Sequence, residues 1–220
     1  MSYEFEAMSD ISPIIVDIET AGIPNAADYL EPVQPAKNLV DPAKIAADIE
    51  KRTADRDEKL ALDWNVGRIV AMGWWIDGRT YIFTTSIESE ERELLALFWR
   101  AARNRTIVGY ALKGFDLRFM VRRSQLLGIP YPQLDFGKYS RSGIHDLFLD
   151  LTFNDGTYDQ GAMRRTLHAF CRRFGIPVND TIKGADIPAL VAAREWEKIA
   201  AHVRSDVELT VALARKLGVL

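Results

Sequence analysis

The chain has few cysteines and histidines: it contains one cysteine, Cys171, and three histidines among its 220 residues. A single cysteine excludes an internal disulfide framework and fits a reducing compartment. The cysteine and histidines are scattered along the chain, so no zinc-ligand cluster is visible. No apolar run approaches the roughly 20 residues of a membrane span, and the acidic start, MSYEFEAMSD, does not resemble a secretory signal. We therefore expect a cytoplasmic protein with no membrane partner.

A strong excess of charge of either sign is also missing. The net charge is −3, from 28 basic and 31 acidic residues, which excludes a protein that coats nucleic acid by bulk charge. A local basic patch remains, because residues 100–123 contain seven basic side chains and a single acid, Asp116. This stretch is either a solvated helix face or a surface that contacts phosphates. Its basic residues are Arg100, Arg103, Arg105, Lys113, Arg118, Arg122 and Arg123.

The composition that is present is that of an ordinary globular protein, with 48% hydrophobic and 27% charged residues. A chain of this length can bury a full core, and we expect one domain over residues 1–220. Short apolar segments alternate with amphipathic ones, which predicts an α/β fold with a mixed sheet flanked by helices. The predicted strands are 12–18, 68–76, 80–85 and 106–110, and the predicted helices are 86–104, 117–127 and 166–174. Residues 189–217 contain one or two helices, and residues 144–151 are either extended or a short helix.

Residues 21–63 predict a loop and a helix inserted between the first two strands. Gly22 and three prolines favour a loop up to residue 40. Residues 41–60 then favour a charged helix, with Asp41 as its cap and Pro42 in its first turn.

Two carboxylates, Asp17 and Glu19, follow the apolar core of the first predicted strand. Side chains two residues apart on a strand share a face, so these two acids point the same way. Such a pair is costly to desolvate unless a divalent cation relieves the repulsion. On its own, Asp-x-Glu also fits an ordinary solvated strand end.

Two further acids lie in helical segments. Asp116 opens the helix that follows the strand ending near Tyr110, where an acid also interacts well with the helix dipole. Asp206 lies in the last helix, close to its core-facing side. A buried helical aspartate needs a partner, and a metal ion and an arginine are both candidates.

Three segments carry a specific resemblance to a known family. IIVDIET resembles the first motif of the DEDD 3′–5′ exonucleases, GYALKGFDLRFMVRR the second, and AHVRSDVELT the third. The segments HDLFLDL and TLHAFCRRFGIP are similar to the branch related to the proofreading exonuclease domain of family-B DNA polymerases. The resemblance covers roughly residues 12 to 217.

The resemblance implies a ribonuclease H-like fold and a two-metal mechanism. Four carboxylates of this family hold two magnesium or manganese ions, and here they correspond to Asp17, Glu19, Asp116 and Asp206. Two cations about 3.5–4 Å apart can assist both the attacking water and the leaving oxygen. Oxygen ligands suit Mg²⁺ and Mn²⁺ better than zinc.

The third motif departs from the family at His202, four residues before Asp206. The family has a tyrosine at this spacing, or in another branch a histidine five residues before the aspartate. The family's side chain orients or deprotonates the attacking water, and a neutral imidazole can accept a proton near neutral pH. The alternative is an exposed helical histidine without a role.

Four further residues are candidate substrate contacts. Tyr110 and Phe115 flank Asp116 and are placed to stack on bases. His145 and Asp146 could support the site wall or the substrate strand, or they could be a hydrogen-bonded core residue and a helix cap.

The function predicted from the sequence is metal-dependent 3′–5′ exonuclease activity on the 3′ end of single-stranded nucleic acid, with DNA favoured. A 3′–5′ exoribonuclease and a non-catalytic nucleic-acid-binding module on the same fold are the alternatives. The sequence does not indicate an oligomeric state.

Overall fold

The computed structural model describes residues 12–137, 140, 142–153 and 166–220, so the segment used above in the signal-peptide argument lies outside the described residues. The strands in these ranges are β1 (Ile14–Gly22), β2 (Gly67–Ile76), β3 (Arg79–Thr84), β4 (Ile107–Gly109) and β5 (Ile144–Asp146). The α-helices are α1 (Pro42–Asp57), α2 (Glu88–Ala101), α3 (Asp116–Leu126), α4 (Leu147–Leu151), α5 (Leu167–Arg173), α6 (Ile187–Ala192) and α7 (Trp196–Lys216). Short 3₁₀ helices cover Ala26–Tyr29, Leu60–Leu62 and Gly184–Asp186.

The strands form one mixed sheet in the order β3-β2-β1-β4-β5, with β1 at the centre. β2 runs antiparallel to β1 and to β3, whereas β4 runs parallel to both β1 and β5. The β2–β3 hairpin turns at Asp77 and Gly78, which have φ values of 50° and 82°. Two positive φ angles match the right-handed twist of the flanking strands, which is why Asp-Gly favours this turn. The predicted α/β fold with a mixed sheet is confirmed.

Helices cover both faces of the sheet, and β1 contributes alternate side chains to each. Ile14, Val16 and Ile18 pack in the core cluster that contains α2 and α3. Ile15 packs in the second cluster, which contains α5 and α7. Because strand side chains alternate, Asp17 and Glu19 lie on the α7 face with Ile15.

A glycine on β2 allows α7 to lie close to the sheet beside Asp17. Gly73 is the register partner of Asp17. A Cβ atom at Gly73 would lie 2.8 Å from Cγ2 of Val207 and 2.9 Å from Cδ1 of Ile82. Any larger side chain would therefore push α7 away from the strand that carries the two acids.

The predicted insertion forms α1 between two 3₁₀ helices. Asp41 caps α1, its Oδ1 accepting N–H bonds from Ala43 at 2.9 Å and Lys44 at 3.4 Å. This cap was expected from the sequence. No residue of α1 is buried, whereas the following 3₁₀ helix is tied to β1 by the Thr20 hydroxyl, which donates to the Ala61 carbonyl at 2.6 Å.

Residues 189–217, predicted to contain one or two helices, fall in two, because the chain turns between α6 and α7 at Arg194, where φ is 56°. Residues 144–151, predicted as extended or helical, contain both β5 and α4. Among the described residues, no helix combines the length and the hydropathy needed to cross a membrane.

The basic stretch is not one phosphate-facing surface. Arg123 is fully buried, and its Nη2 lies 2.6 Å from Oε2 of Glu91. The Lys113 ammonium donates to the Gly137 carbonyl at 2.8 Å, and Arg105 donates to the Ser12 carbonyl at 2.7 Å. These three side chains are therefore engaged within the protein, and contact with phosphates stays a prediction for the exposed members of the stretch. The exposed members are Arg100, Arg103, Arg118 and Arg122.

Candidate active site

Asp17 lies on the central strand with one carboxylate oxygen sealed inside the protein. Among the described residues, its Oδ2 has no hydrogen-bond partner and is closed to solvent. Burial raises the pKa of Asp17 well above its ordinary value, and the charges of Asp206, Asp116 and Glu19 raise it further. Three of the carboxylates predicted from the sequence therefore lie close enough to the fourth, Asp17, for their charges to act on it.

Asp116 reaches the same place from the first turn of α3. Its carboxylate Oδ1 accepts the Ile18 N–H at 3.3 Å, which links α3 to β1. Burial raises the pKa of Asp116 to about 7; backbone hydrogen bonds oppose this rise, and the charges of Glu19 and Asp146 add to it.

The loop that leads from β4 to Asp116 is fastened by Asp146. The Asp146 carboxylate accepts N–H bonds from Ala111 at 3.0 Å and from Lys113 at 2.9 Å. Ala111 has a φ of 56°, a left-handed conformation that costs an alanine about 1–2 kcal/mol. Asp146 offsets this strain by satisfying the loop amides, and it thereby supports the placement of Asp116. A direct contact between Asp146 and substrate stays a prediction.

Asp206 faces the site from the middle of α7 and contacts a histidine on α5. Nε2 of His168 lies 3.0 Å from Oδ1 of Asp206. Nothing in the sequence pattern indicated this contact. Cys171, one turn further along α5, is fully buried. Burial, with a smaller effect of the Asp206 charge, raises the pKa of the Cys171 thiol to about 11.

His202 is 3% exposed and lies between two carboxylates. Its Nε2 is 3.2 Å from Oε1 of Glu19, and its Nδ1 is hydrogen-bonded to Oδ2 of Asp180. Burial alone would lower the pKa of His202, but the hydrogen bond and charge of Glu19, together with the hydrogen bond to Asp180, raise it to about 9. The alternative of an exposed helical histidine is therefore wrong.

These groups fit a divalent cation. Ligand atoms of Glu19, His202 and Asp206 all lie within 4.8 Å of one another. Asp17 adds a buried oxygen without a partner, and an unsatisfied buried carboxylate oxygen is costly. A cation would satisfy that oxygen and neutralise the repulsion that raises the carboxylate pKa values.

The other predicted contacts lie at the edge of this cluster. Tyr110 packs against Phe148 and Phe170, with ring centroids 5.6 and 6.3 Å away, and Phe115 packs against Phe119 at 5.4 Å. His145 is paired with Asp150 through its Nε2. Tyr110, Phe115 and His145 are all partly exposed, and their contact with substrate stays a prediction.

The electrostatics predict that the metal-free protein loses stability as pH rises. The folded protein holds the proton of Asp116 with a pKa of about 7, against an ordinary value of 3.8, and that of His202 with a pKa of about 9, against 6.5. A group whose pKa is higher in the folded than in the unfolded protein contributes its full stabilisation below its unfolded pKa. That stabilisation is lost as the pH rises through its folded pKa. In EDTA we expect the unfolding free energy to fall by a few kcal/mol in all, between about pH 4 and 7 through Asp116 and between about pH 6.5 and 9 through His202.

Denaturant titrations from pH 5 to 9 in EDTA, and again with Mg²⁺, measure this fall. Asp116→Asn should remove the part below pH 7, and Mg²⁺ should reduce the fall because a cation favours ionised carboxylates. A metal-free stability that is flat or rises over this range would contradict the assigned charges.

Comparison with protein families matches residues 65–214 to a family described as "predicted 3′–5′ exonuclease related to the exonuclease domain of PolB". The chain belongs to this family. The matched span contains Asp116, His202 and Asp206. Asp17 and Glu19 precede it, so their assignment to the site depends on their position on β1. No curated protein matches the chain.

The fold also resembles a solved polymerase structure. The family B DNA polymerase from the hyperthermophilic archaeon Pyrobaculum calidifontis superposes with a TM-score of 0.60 at 21% sequence identity. The match covers 93% of this chain and 24% of the polymerase chain. At this identity the likeness concerns the fold alone, and it confirms the ribonuclease H-like fold expected from the sequence.

Proposed function

We propose that this protein is a metal-dependent 3′–5′ exonuclease that removes nucleotides from the 3′ end of single-stranded nucleic acid, with DNA preferred to RNA. The observation that carries the proposal is the buried, unpartnered Oδ2 of Asp17, a residue on which the charges of Glu19, Asp116 and Asp206 act, in a chain whose family is described as a predicted 3′–5′ exonuclease. We further propose that residues 1–220 form one exonuclease domain, in which residues 21–63 are an insertion.

Asp17, Glu19, Asp116 and Asp206 would hold two Mg²⁺ or Mn²⁺ ions. Asp17 belongs to this set because the charges of the other three act on it. When bound, such ions stabilise the negative charge that develops on the attacking and leaving oxygens of a phosphodiester.

His202 would handle the proton of the attacking water. The Nε2 atom of His202 faces Glu19. This nitrogen becomes a free base once the Glu19 carboxylate no longer stabilises the proton on it. His202 is 3% exposed, so bulk water is largely excluded from the imidazole. General-base assistance of this kind contributes about 10²- to 10⁴-fold to a rate.

The substrate strand would approach past the loop that leads from β4 to Asp116. Phe115 precedes Asp116 directly, and the exposed Arg118 lies in the first turn of the same helix. Base stacking on an aromatic ring contributes about 1–3 kcal/mol and tolerates any sequence. The preference for DNA rests on the relation of the family to a DNA polymerase domain.

A 5′-labelled single-stranded DNA oligonucleotide, incubated with Mg²⁺, Mn²⁺ or EDTA, tests the proposal. We expect a ladder of products that shortens from the 3′ end in both metals and no cleavage in EDTA. An RNA oligonucleotide of the same sequence should be shortened more slowly.

Internal cleavage, release of the label as the first mononucleotide, or equal cleavage in EDTA would each contradict the proposal. Faster shortening of the RNA would reassign the substrate to RNA. Binding without any metal-dependent product would favour a non-catalytic binding module.

A further inference from the structure

Resting on the proposed exonuclease activity, we infer that Asp180 is a positioning residue that fixes the ring orientation and tautomer of His202. The Oδ2 atom of Asp180 is hydrogen-bonded to Nδ1 of His202. This contact leaves Nε2 of the same ring directed at Glu19, 3.2 Å from its Oε1. Nothing in the sequence pattern marked Asp180, because it lies in the irregular segment between α5 and the following 3₁₀ helix.

Asp180 is itself held in place. Its Oδ1 accepts the N–H of Ile182 at 2.9 Å, and the Ile182 side chain packs against the core cluster that contains Val203 of α7. Its side chain is 13% exposed. Although partial burial opposes ionisation, the hydrogen bonds from His202 and Ile182 hold the pKa of Asp180 below its ordinary value. Asp180 therefore presents a fixed, ionised carboxylate to the histidine.

An ionised carboxylate can only accept a hydrogen bond, so Nδ1 of His202 must carry a proton. When the ring is neutral, its lone pair is then on Nε2, the nitrogen that faces Glu19. A carboxylate that orients a histidine in this way contributes about 10- to 100-fold to activity when the histidine serves a metal site.

The decisive variant is Asp180→Asn, because it keeps the shape of the side chain. Its amide can donate to Nδ1, which stabilises the tautomer with the proton on Nε2. We expect Asp180→Asn and Asp180→Ala each to lower kcat about 10- to 100-fold with KM nearly unchanged. In the His202→Ala background, neither change should lower kcat further.

Asp186→Ala is the matched control. Asp186 lies in the same loop region, is exposed, and accepts the Lys183 N–H at 2.9 Å without touching His202. It should cleave at the wild-type rate, since it loses a local backbone contact and nothing else.

A second readout does not depend on cleavage. The chain has three histidines, so NMR spectra of the imidazole nitrogens can be assigned by comparison with His202→Ala. Wild-type protein, with and without Mg²⁺, should show a hydrogen-bonded proton on Nδ1 of His202 that is lost in Asp180→Asn.

Wild-type kcat in Asp180→Asn, or an additive loss in the double variant, would overturn the inference. A slow Asp180→Ala with a wild-type Asp180→Asn would assign Asp180 to loop structure and overturn it as well. If Asp180→Ala does not fold, Asp180→Asn carries the test. If wild-type protein shows no metal-dependent exonuclease activity, the proposed function fails, and the Nδ1 proton alone decides whether Asp180 fixes the tautomer of His202.

Discussion

Asp17→Asn and Asp116→Asn should each abolish phosphodiester cleavage while leaving the fold intact. Both acids face the same cluster, and the metal ions that such ligands hold contribute several kcal/mol to the transition state. Loss of one ligand should therefore lower the rate at saturating Mg²⁺ by at least about 10³-fold.

Both variants should also be more stable than wild type when no metal is present. Burial and neighbouring charges raise the pKa of Asp17, and burial raises the pKa of Asp116 to about 7, so the ionised form of each carboxylate is unfavourable in the folded protein. A neutral amide of the same shape removes that cost. Each kcal/mol recovered corresponds to about 2–4 °C in Tm for a chain of this size.

Cleavage of labelled DNA in Mg²⁺ and thermal melting in EDTA at pH 8 measure the two effects. Asp55→Asn is the matched control, because Asp55 is an exposed acid on α1. It should change neither the rate nor the Tm. Near wild-type cleavage by Asp17→Asn or Asp116→Asn would show that the two-metal assignment is wrong.

The direction of three of the carboxylates could be predicted from the sequence because regular structure fixes it. Strand alternation alone predicts that Asp17 and Glu19 share a face, and the structure has them on the α7 face beside Ile15. The apolar stripe of the last helix brings Asp206 near the same face. Periodicity gives only the direction of these side chains, whereas their assignment to one ligand set came from the resemblance to the DEDD exonucleases.

The residues that hold the site in shape could not be found in this way. Asp180 and the strained Ala111 lie in irregular segments, where neither periodicity nor composition fixes a conformation. His168 lies on a regular helix, but its contact with Asp206 depends on how α5 packs against α7. Such contacts depend on tertiary packing, about which the local pattern carries no information.

The buried position of Arg123 could not be predicted for a related reason. Charge clustering in the sequence suggested a phosphate-binding surface, but Arg123 alone of its helix's arginines is fully buried. Its partner Glu91, 32 residues earlier on α2, also accepts the Ile69 N–H at 2.9 Å, so the pair ties two helices and the sheet together. A buried ion pair of this kind requires a long-range partner that only the fold identifies.

His202→Ala should retain metal binding and lose most of the cleavage rate, by about 10²- to 10⁴-fold. His202 is not one of the four carboxylate ligands, so the Mg²⁺-dependent rise in Tm should persist in the variant. His202→Tyr supplies the residue that the family has at this spacing, and it should recover part of the rate lost in the alanine variant.

The pH profile separates a proton acceptor from a structural histidine. Glu19 and Asp180 outweigh burial and raise the pKa of His202 to about 9 in the metal-free protein, so the imidazole is charged at pH 7 and cannot accept a proton. His202 becomes a base only when the charge of Glu19 is engaged by a cation, which lowers the His202 pKa. Wild-type kcat should therefore show an acidic limb that moves to lower pH as the Mg²⁺ concentration rises, and His202→Ala should lack that limb. If His202→Ala cleaves as fast as wild type from acidic to neutral pH, the carboxylates suffice without His202.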